Sequence, residues 1–342
     1  MPEQFLHLPA EDRKEILQTA AAELGQQATV LEKDVWVCWA LQTLFSMPDA
    51  HPMAFKGGTS LSKIYGVIDR FSEDVDVTLD YKAFADGFDP FEPGASKAAI
   101  KRFSERLKGY VQEYANETVA PYIDTQLQLF PNSADHSIEV SGDGEKIWVH
   151  YPSAVESDDE YMKSSILIEL GGRNVIDPNE RHTVAPDISE LVTGLDLPSG
   201  EVVVLSSGRT FWEKATLIHV ECNRKELKAD AHRLSRHWYD LRMLARHTSG
   251  QAAINNRELF EDVVNHKKVF FNASYANYDA CLTGELYLIP EKELINELRT
   301  DYEKMLSAGM LYGEPPSFDE IMIDIREVER AINDWSGLGG DV

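Results

Sequence analysis

At 342 residues, 43% hydrophobic and 27% charged, the chain has the length of two domains and the balance of a water-soluble globular protein. Its formal net charge of −25 excludes the broad basic surface of a dedicated nucleic-acid binder, so a polyanionic partner would need a local basic patch and no DNA partner is expected. No apolar run reaches the roughly 18 residues of a membrane span, the N-terminus lacks a secretory signal, and Cys38, Cys222 and Cys281 form no CxxC pair. These features predict a cytoplasmic protein with reduced thiols and no membrane partner. The acids are widely spread, with one cluster at 156–160, as solubility alone would require.

In chain order, residues 9–25 and 29–48 read as amphipathic helices, the second mostly buried through Trp36, Val37, Trp39, Ala40 and Leu44. A short strand at 53–56 enters a Gly-Gly turn, followed by a short helix at 59–66 and a strand at 75–79. Residues 82–96 are rich in Pro, Gly and Asp and read as a loop. A long helix is predicted over 97–118, then weaker strands near 123–130, 136–141 and 146–151, and a strand at 164–170. Residues 171–200 read as irregular, and from about 207 the pattern turns helical, with helices at 209–222, 229–247, 256–270, 291–307 and 317–334 and a frayed tail at 337–342. The boundary is expected near 205, with an α+β domain over 1–205 and a helical domain over 206–342.

Chemistry concentrates in residues 56–77, KGGTSLSKIYGVIDRFSEDVDV. Side chains alternate along a strand, so Asp74 and Asp76 are predicted to share a face. Two adjacent carboxylates repel unless a cation sits between them, and an all-oxygen site suits Mg²⁺ or Mn²⁺ completed by substrate phosphates. Gly57 and Gly58 let the main chain approach a triphosphate, which the amides and hydroxyls of Thr59 and Ser60 would bind. An Asp-x-Asp pair or a GGTS tetrapeptide alone is more often a solvated surface; the ordered set is what points to nucleotidyl transfer.

That set of strand, glycine pair, hydroxyls, short helix and Asp-x-Asp resembles the signature of the polymerase-beta-like nucleotidyltransferase superfamily. Fifteen residues (59–73) separate Gly58 from Asp74. This longer spacing, flanked by KGGTSLSK and RFSEDVD, is similar to the AbiEii/AbiGii toxin family of nucleotidyltransferases. The resemblance implies an N-terminal domain with a mixed sheet and flanking helices, followed by a mostly helical domain, with the active site in a cleft between them. It also implies a third carboxylate on a later strand, for which Glu169 in ILIEL is the candidate, as a metal ligand or base; an edge-strand acid facing solvent is the plain alternative.

Further along, Lys214 lies at the edge of the apolar stripe Phe211, Ala215, Ile218 and Cys222, in a helix with Ser207 near its N-cap. It either snorkels or turns its charge toward a triphosphate. Arg236 and Asp240 are helix neighbours four residues apart, usually a weak surface pair. FWEK and RHWYDL resemble later motifs of the same family, which implies that Lys214 binds phosphate and that Asp240 orients Lys214 or assists the acceptor, with Arg236 and His237 as lesser candidates. Between 209 and 247 nine Lys/Arg face five Asp/Glu, the one segment where a polyanionic acceptor could settle.

The resemblance therefore implies an Mg²⁺-dependent enzyme, the toxin of a toxin–antitoxin or abortive-infection pair. Asp74, Asp76 and Glu169 would hold metal, Lys56, Lys63 and Lys214 would neutralise the NTP, and a tRNA 3′ end or a protein would be the acceptor. An antitoxin partner is implied without a demand that it bind directly. A small-molecule nucleotidyltransferase of the antibiotic-modifying kind, and a non-catalytic NTP-binding regulatory module, remain as alternatives.

Overall fold

The computed structural model describes residues 3–155, 164–224 and 233–335; the acidic cluster at 156–160 and the predicted tail at 337–342 lie outside them. The backbone divides into two compact units. One comprises Met1–Ile64, Ser72–Asp89 and Lys97–Leu205, the other Tyr65–Phe71, Pro90–Ser96 and Ser206–Val342. The principal break thus falls between Leu205 and Ser206, but two short segments of the N-terminal stretch pack with the C-terminal helices.

In the first unit, β1 (Glu3–Gln4) precedes α1 (Ala10–Leu24) and α2 (Ala28–Phe45). Then come β2 (Met53–Lys56), α3 (Gly57–Lys63), β3 (Val75–Asp80), α4 (Lys97–Tyr114) and α5 (Ala120–Leu127). Six strands follow in two groups: β4 (Ser137–Val140), β5 (Lys146–His150) and β6 (Ser165–Asn174), then β7 (Asn179–Val184), β8 (Leu195–Asp196) and β9 (Gly200–Leu205). Seven of these form one mixed sheet in the order β4-β5-β6-β3-β2-β9-β7, parallel at β3–β6 and β2–β9 and antiparallel elsewhere; β1 pairs with β8 apart from it.

Val75, Val77 and Leu79 of β3 and Ile166, Ile168 and Leu170 of β6 are buried on the face where α2 and α4 pack. Val35 to Leu41 are buried without interruption, as expected of a helix enclosed on every side. Gly172 lets α4 come close: a Cβ there would lie 2.2 Å from Val111 Cγ2.

Two expectations change in this unit. Residues 123–130 are not a strand; α4 continues through a π turn (Ala115–Val119) into α5. The buried set Ala120, Ile123 and Leu127 follows the helical period, not alternation. Residues 171–200 are not irregular throughout, because β6 runs on to Asn174 and β7 pairs with β9 over six residues. β7 is an edge strand reading NERHTV, whose charges blunt the edge and erase the apolar pattern that announces strands.

The second unit holds α6 (Ser207–Cys222), α7 (Arg236–Arg246), α8 (Thr248–Ile254), α9 (Arg257–Phe270), α10 (Tyr278–Leu282), α11 (Lys292–Ser307) and α12 (Phe318–Asn333). Helix α7 begins later than the predicted 229, after a turn in which Arg233 takes a φ of +62°; residues 229–232 lie outside the described set. The Tyr65–Phe71 segment is stitched in by Phe71 N–H to Met310 O (2.8 Å) and Tyr312 N–H to Asp69 O (2.9 Å). No helix among the described residues is long and apolar enough to cross a membrane, and the three cysteines are free thiols.

Candidate active site

Strand register assembles a charged row in the first unit. Lys56 of β2 pairs with Asp76 of β3, Asp76 with Glu169 of β6, and Glu169 with Lys146 of β5. Paired residues share a face, so Lys56, Asp76, Glu169 and Lys146 form one lateral line opposite the helix-covered face. Lys146 Nζ lies 3.1 Å from Glu169 Oε1. Lys146 carries no motif and only its register reveals it.

Asp76 and Glu169 stand side by side in the register of β3 and β6, and neighbouring carboxylates favour the protonated form of Asp76. Burial, and then Glu169 and Asp74, push Asp76 up to about 7 against the opposing charge of Lys56. Two carboxylates held side by side fit a divalent cation, and Mg²⁺ commonly uses one or two carboxylates with substrate phosphates. The predicted three-carboxylate set is not gathered as such: among the described residues no group of three or more His, Cys, Asp or Glu is placed to hold a metal. Asp74 precedes β3, which begins at Val75, so Asp76 and Glu169 form the pair and Asp74 flanks it.

The glycine turn is fitted to that pair. Gly57 has φ +82°, a region that favours glycine. The hydroxyls that follow point inward. Thr59 donates to the Asp74 carbonyl (2.6 Å) and lies 2.9 Å from Ser72 Oγ, while Ser60 donates to the Gly57 carbonyl (2.9 Å). Both residues are buried: Thr59 braces the turn against the carboxylate strand, and Ser60 closes on the turn itself. Lys63 is also engaged elsewhere: its ammonium donates to Asp34 Oδ2 (2.7 Å) and Asp187 Oδ1 (2.5 Å), fastening α3 to α2. Beside it, Lys33 of α2 pairs with Glu73.

In the second unit Ser206, one residue before the predicted cap, accepts from Arg209 N–H and starts α6. Lys214 is buried with Nζ 2.8 Å from Asp240 Oδ2. Asp240 is 0% exposed, and Arg70 grips it with two prongs, Nε to Oδ1 at 2.7 Å and Nη2 to Oδ2 at 2.8 Å. The expected Arg236–Asp240 pair is thus replaced by Arg70 and Lys214. Burial raises the Asp240 carboxyl, but the two cations outweigh it and hold the group well below the usual carboxylate range.

Lys214 is pushed down by burial, with Asp240 opposing and Arg70 and Arg236 adding to the depression. Burial and then Lys214 and Arg236 hold His237 well below its ordinary value, and its Nδ1 is buried without a hydrogen-bond partner. Trp238 donates from Nε1 to Leu288 O (2.9 Å) and helps fix the rotation of α7. Arg70 was not singled out by sequence; its one signal is the arginine that opens RFSEDVD.

Five cations of the basic segment 209–247 are paired within their own unit. Arg209 pairs with Asp262, Lys214 with Asp240, Arg224 with Glu221, and Arg242 and Arg246 with Asp324. Asp262 and Asp324 come from outside the window, so acids beyond it offset some of its positive charge; Lys225 and Lys228 lie outside the described residues.

The family model described as nucleotidyl transferase AbiEii toxin, type IV toxin–antitoxin system, matches residues 39–323. Among solved structures the chain is similar to MenT4, a nucleotidyltransferase toxin of Mycobacterium tuberculosis H37Rv, at 18% identity and a TM-score of 0.49, covering 93% of this chain and 89% of that one. It is also similar to a protein of H. pylori described as a candidate nucleotidyltransferase, at 15% identity and a TM-score of 0.40, covering 91% of this chain and 97% of that one. No curated protein matches the chain.

Proposed function

The chain belongs to the AbiEii family of type IV toxin nucleotidyltransferases, and from that premise we propose that it moves a nucleoside monophosphate from an NTP to an acceptor hydroxyl in the cytoplasm, as the toxin of a phage-defence pair neutralised by a cognate antitoxin. The observation that carries this reading is the Asp76–Glu169 pair, with Asp76 lying against the Gly57 turn. Asp76 and Glu169, flanked by Asp74, are the groups to hold Mg²⁺ or Mn²⁺. When bound, such an ion offsets triphosphate charge and eases loss of the acceptor proton.

In the transfer, the bond from the acceptor oxygen to the α-phosphorus forms, the bond from the α-phosphorus to the bridging oxygen breaks, and pyrophosphate leaves. The chain's own contribution is positioning and fixed positive charge. Lys56 supplies a cation beside Asp76, and Gly57 keeps the main chain close. Lys214 offers its ammonium to phosphate while Asp240 orients it. An RNA 3′ hydroxyl, such as a tRNA end, or a protein hydroxyl is the acceptor.

Purified chain incubated with each α-labelled NTP, Mg²⁺ and total RNA or total protein should label one pool, and Asp76→Ala should abolish the signal. Equal labelling by wild type and Asp76→Ala, or no label in either pool, would overturn the reading.

A further inference from the structure

We infer that Arg70 is a positioning residue for Lys214: its two-pronged grip on Asp240 leaves Lys214 attached through a single carboxylate oxygen and keeps the lysine's charge available to an incoming triphosphate. The inference rests on the nucleotidyl-transfer reading above. Asp240 has two oxygens and serves two cations. Arg70 engages both, while Lys214 shares Oδ2 at 2.8 Å. Asp240 is thus shared between two cations, and a shared carboxylate offsets the Lys214 charge less than it would alone.

Arg70 is well suited to this task. Its side chain is 4% exposed, and its Nη1 donates to the Phe71 carbonyl at 2.9 Å. The segment that presents it is pinned on either side, because Asp69 N–H donates to Tyr239 Oη (3.3 Å) and Phe71 N–H to Met310 O (2.8 Å). A guanidinium fork so held fixes the plane of the Asp240 carboxylate, which a point-like ammonium does not. The charged and titratable groups acting on Lys214 from α7 and the Arg70 segment are Asp240, Arg70 and Arg236, with His237 adjoining them. Without Arg70, Asp240 would be left to Lys214 alone, and the pair would neutralise itself.

The test uses the full-length chain with Arg70→Gln and Arg70→Lys. Titration of Lys214 is followed by NMR of ¹³Cε-labelled lysine, and the dissociation constants of the four NTPs with Mg²⁺ by equilibrium dialysis. In Arg70→Gln the Lys214 titration should move to higher pH, and the tightest NTP should bind about tenfold more weakly. Arg70→Lys, which keeps the charge but not the fork, should fold and still bind that NTP several-fold more weakly.

An unchanged Lys214 titration in folded Arg70→Gln, or full NTP affinity in Arg70→Lys, would overturn the inference. If Arg70→Gln does not fold, the affinity of Arg70→Lys decides alone. If the wild type binds no NTP, the nucleotidyl reading falls, while the Lys214 titration still judges the charge balance.

Discussion

Gly57 and Asp76 approach so closely that a Cβ on the glycine would lie 1.9 Å from Asp76 Oδ2 and 2.7 Å from its Cγ. The positive φ of Gly57 is a second, independent demand for glycine at the same position. Gly57→Ala must therefore move either the turn or the carboxylate. We expect it to lose transfer activity by roughly a hundredfold, as ångström-scale misplacement does, with a stability cost of about 1–3 kcal/mol from backbone strain. Gly66→Ala is the control, since Gly66 also has positive φ (+58°) but faces open space. Urea melts should show both variants destabilised, and labelled transfer should be lost only in Gly57→Ala.

The raised Asp76 carboxyl makes the protein's stability depend on pH. Asp76 sits at about 7 in the folded chain and at about 3.9 unfolded. Between those values the folded state binds more protons than the unfolded state, so this group's stabilisation is full below about pH 4 and fades as pH rises through about 7. Thermal melts in EDTA from about pH 5 to 8 should fall more steeply for wild type than for Asp76→Asn, which has no proton to lose. Parallel curves would show that folding does not raise the Asp76 carboxyl.

Asp240→Ala strands Arg70 and Lys214 as buried cations without their anion. Breaking a buried pair in this way costs about 3–5 kcal/mol, and urea denaturation should read a loss of that size. The exposed Arg257–Glu261 pair (2.8 Å) is the contrast: Glu261→Ala should change stability by less than about 1 kcal/mol. Comparable losses in both variants would show that Asp240 is not the buried anchor described here.

What sequence could and could not reveal follows from the range of each interaction. The β2, α3 and β3 elements and the Asp-x-Asp pair were readable because glycines, alternation and helical period act over a few neighbouring residues. Glu169 was found through a family pattern, but its partner Lys146 depends on register across β5 and β6, which no local pattern encodes. Arg70 and Asp240 are separated by 170 residues in sequence, so a buried pair between them looks like two unrelated surface charges. Thr59 and Ser60 follow the glycine pair in sequence, but the direction of their hydroxyls is set by the Asp74 and Gly57 carbonyls, which only the folded turn brings within reach.

Lys63 and Lys56 separate a structural cation from a candidate nucleotide-binding one. The Lys63 ammonium lies between Asp34 and Asp187 with its side chain 7% exposed, so removing it leaves Asp34, already pushed up by burial, without its cation. Lys63→Met should therefore lower stability by about 3 kcal/mol while leaving KM for the NTP within about twofold, because no phosphate contact is lost. Lys56 stands beside Asp76 on the charged row. Lys56→Ala should raise KM about fivefold or more by removing a cation from the triphosphate, with a smaller stability loss than in Lys63→Met. Urea melts and steady-state transfer assays on the two variants give opposite patterns if the assignment is right. A folded Lys63→Met with KM raised as far as in Lys56→Ala would show that Lys63 leaves its carboxylates to bind nucleotide.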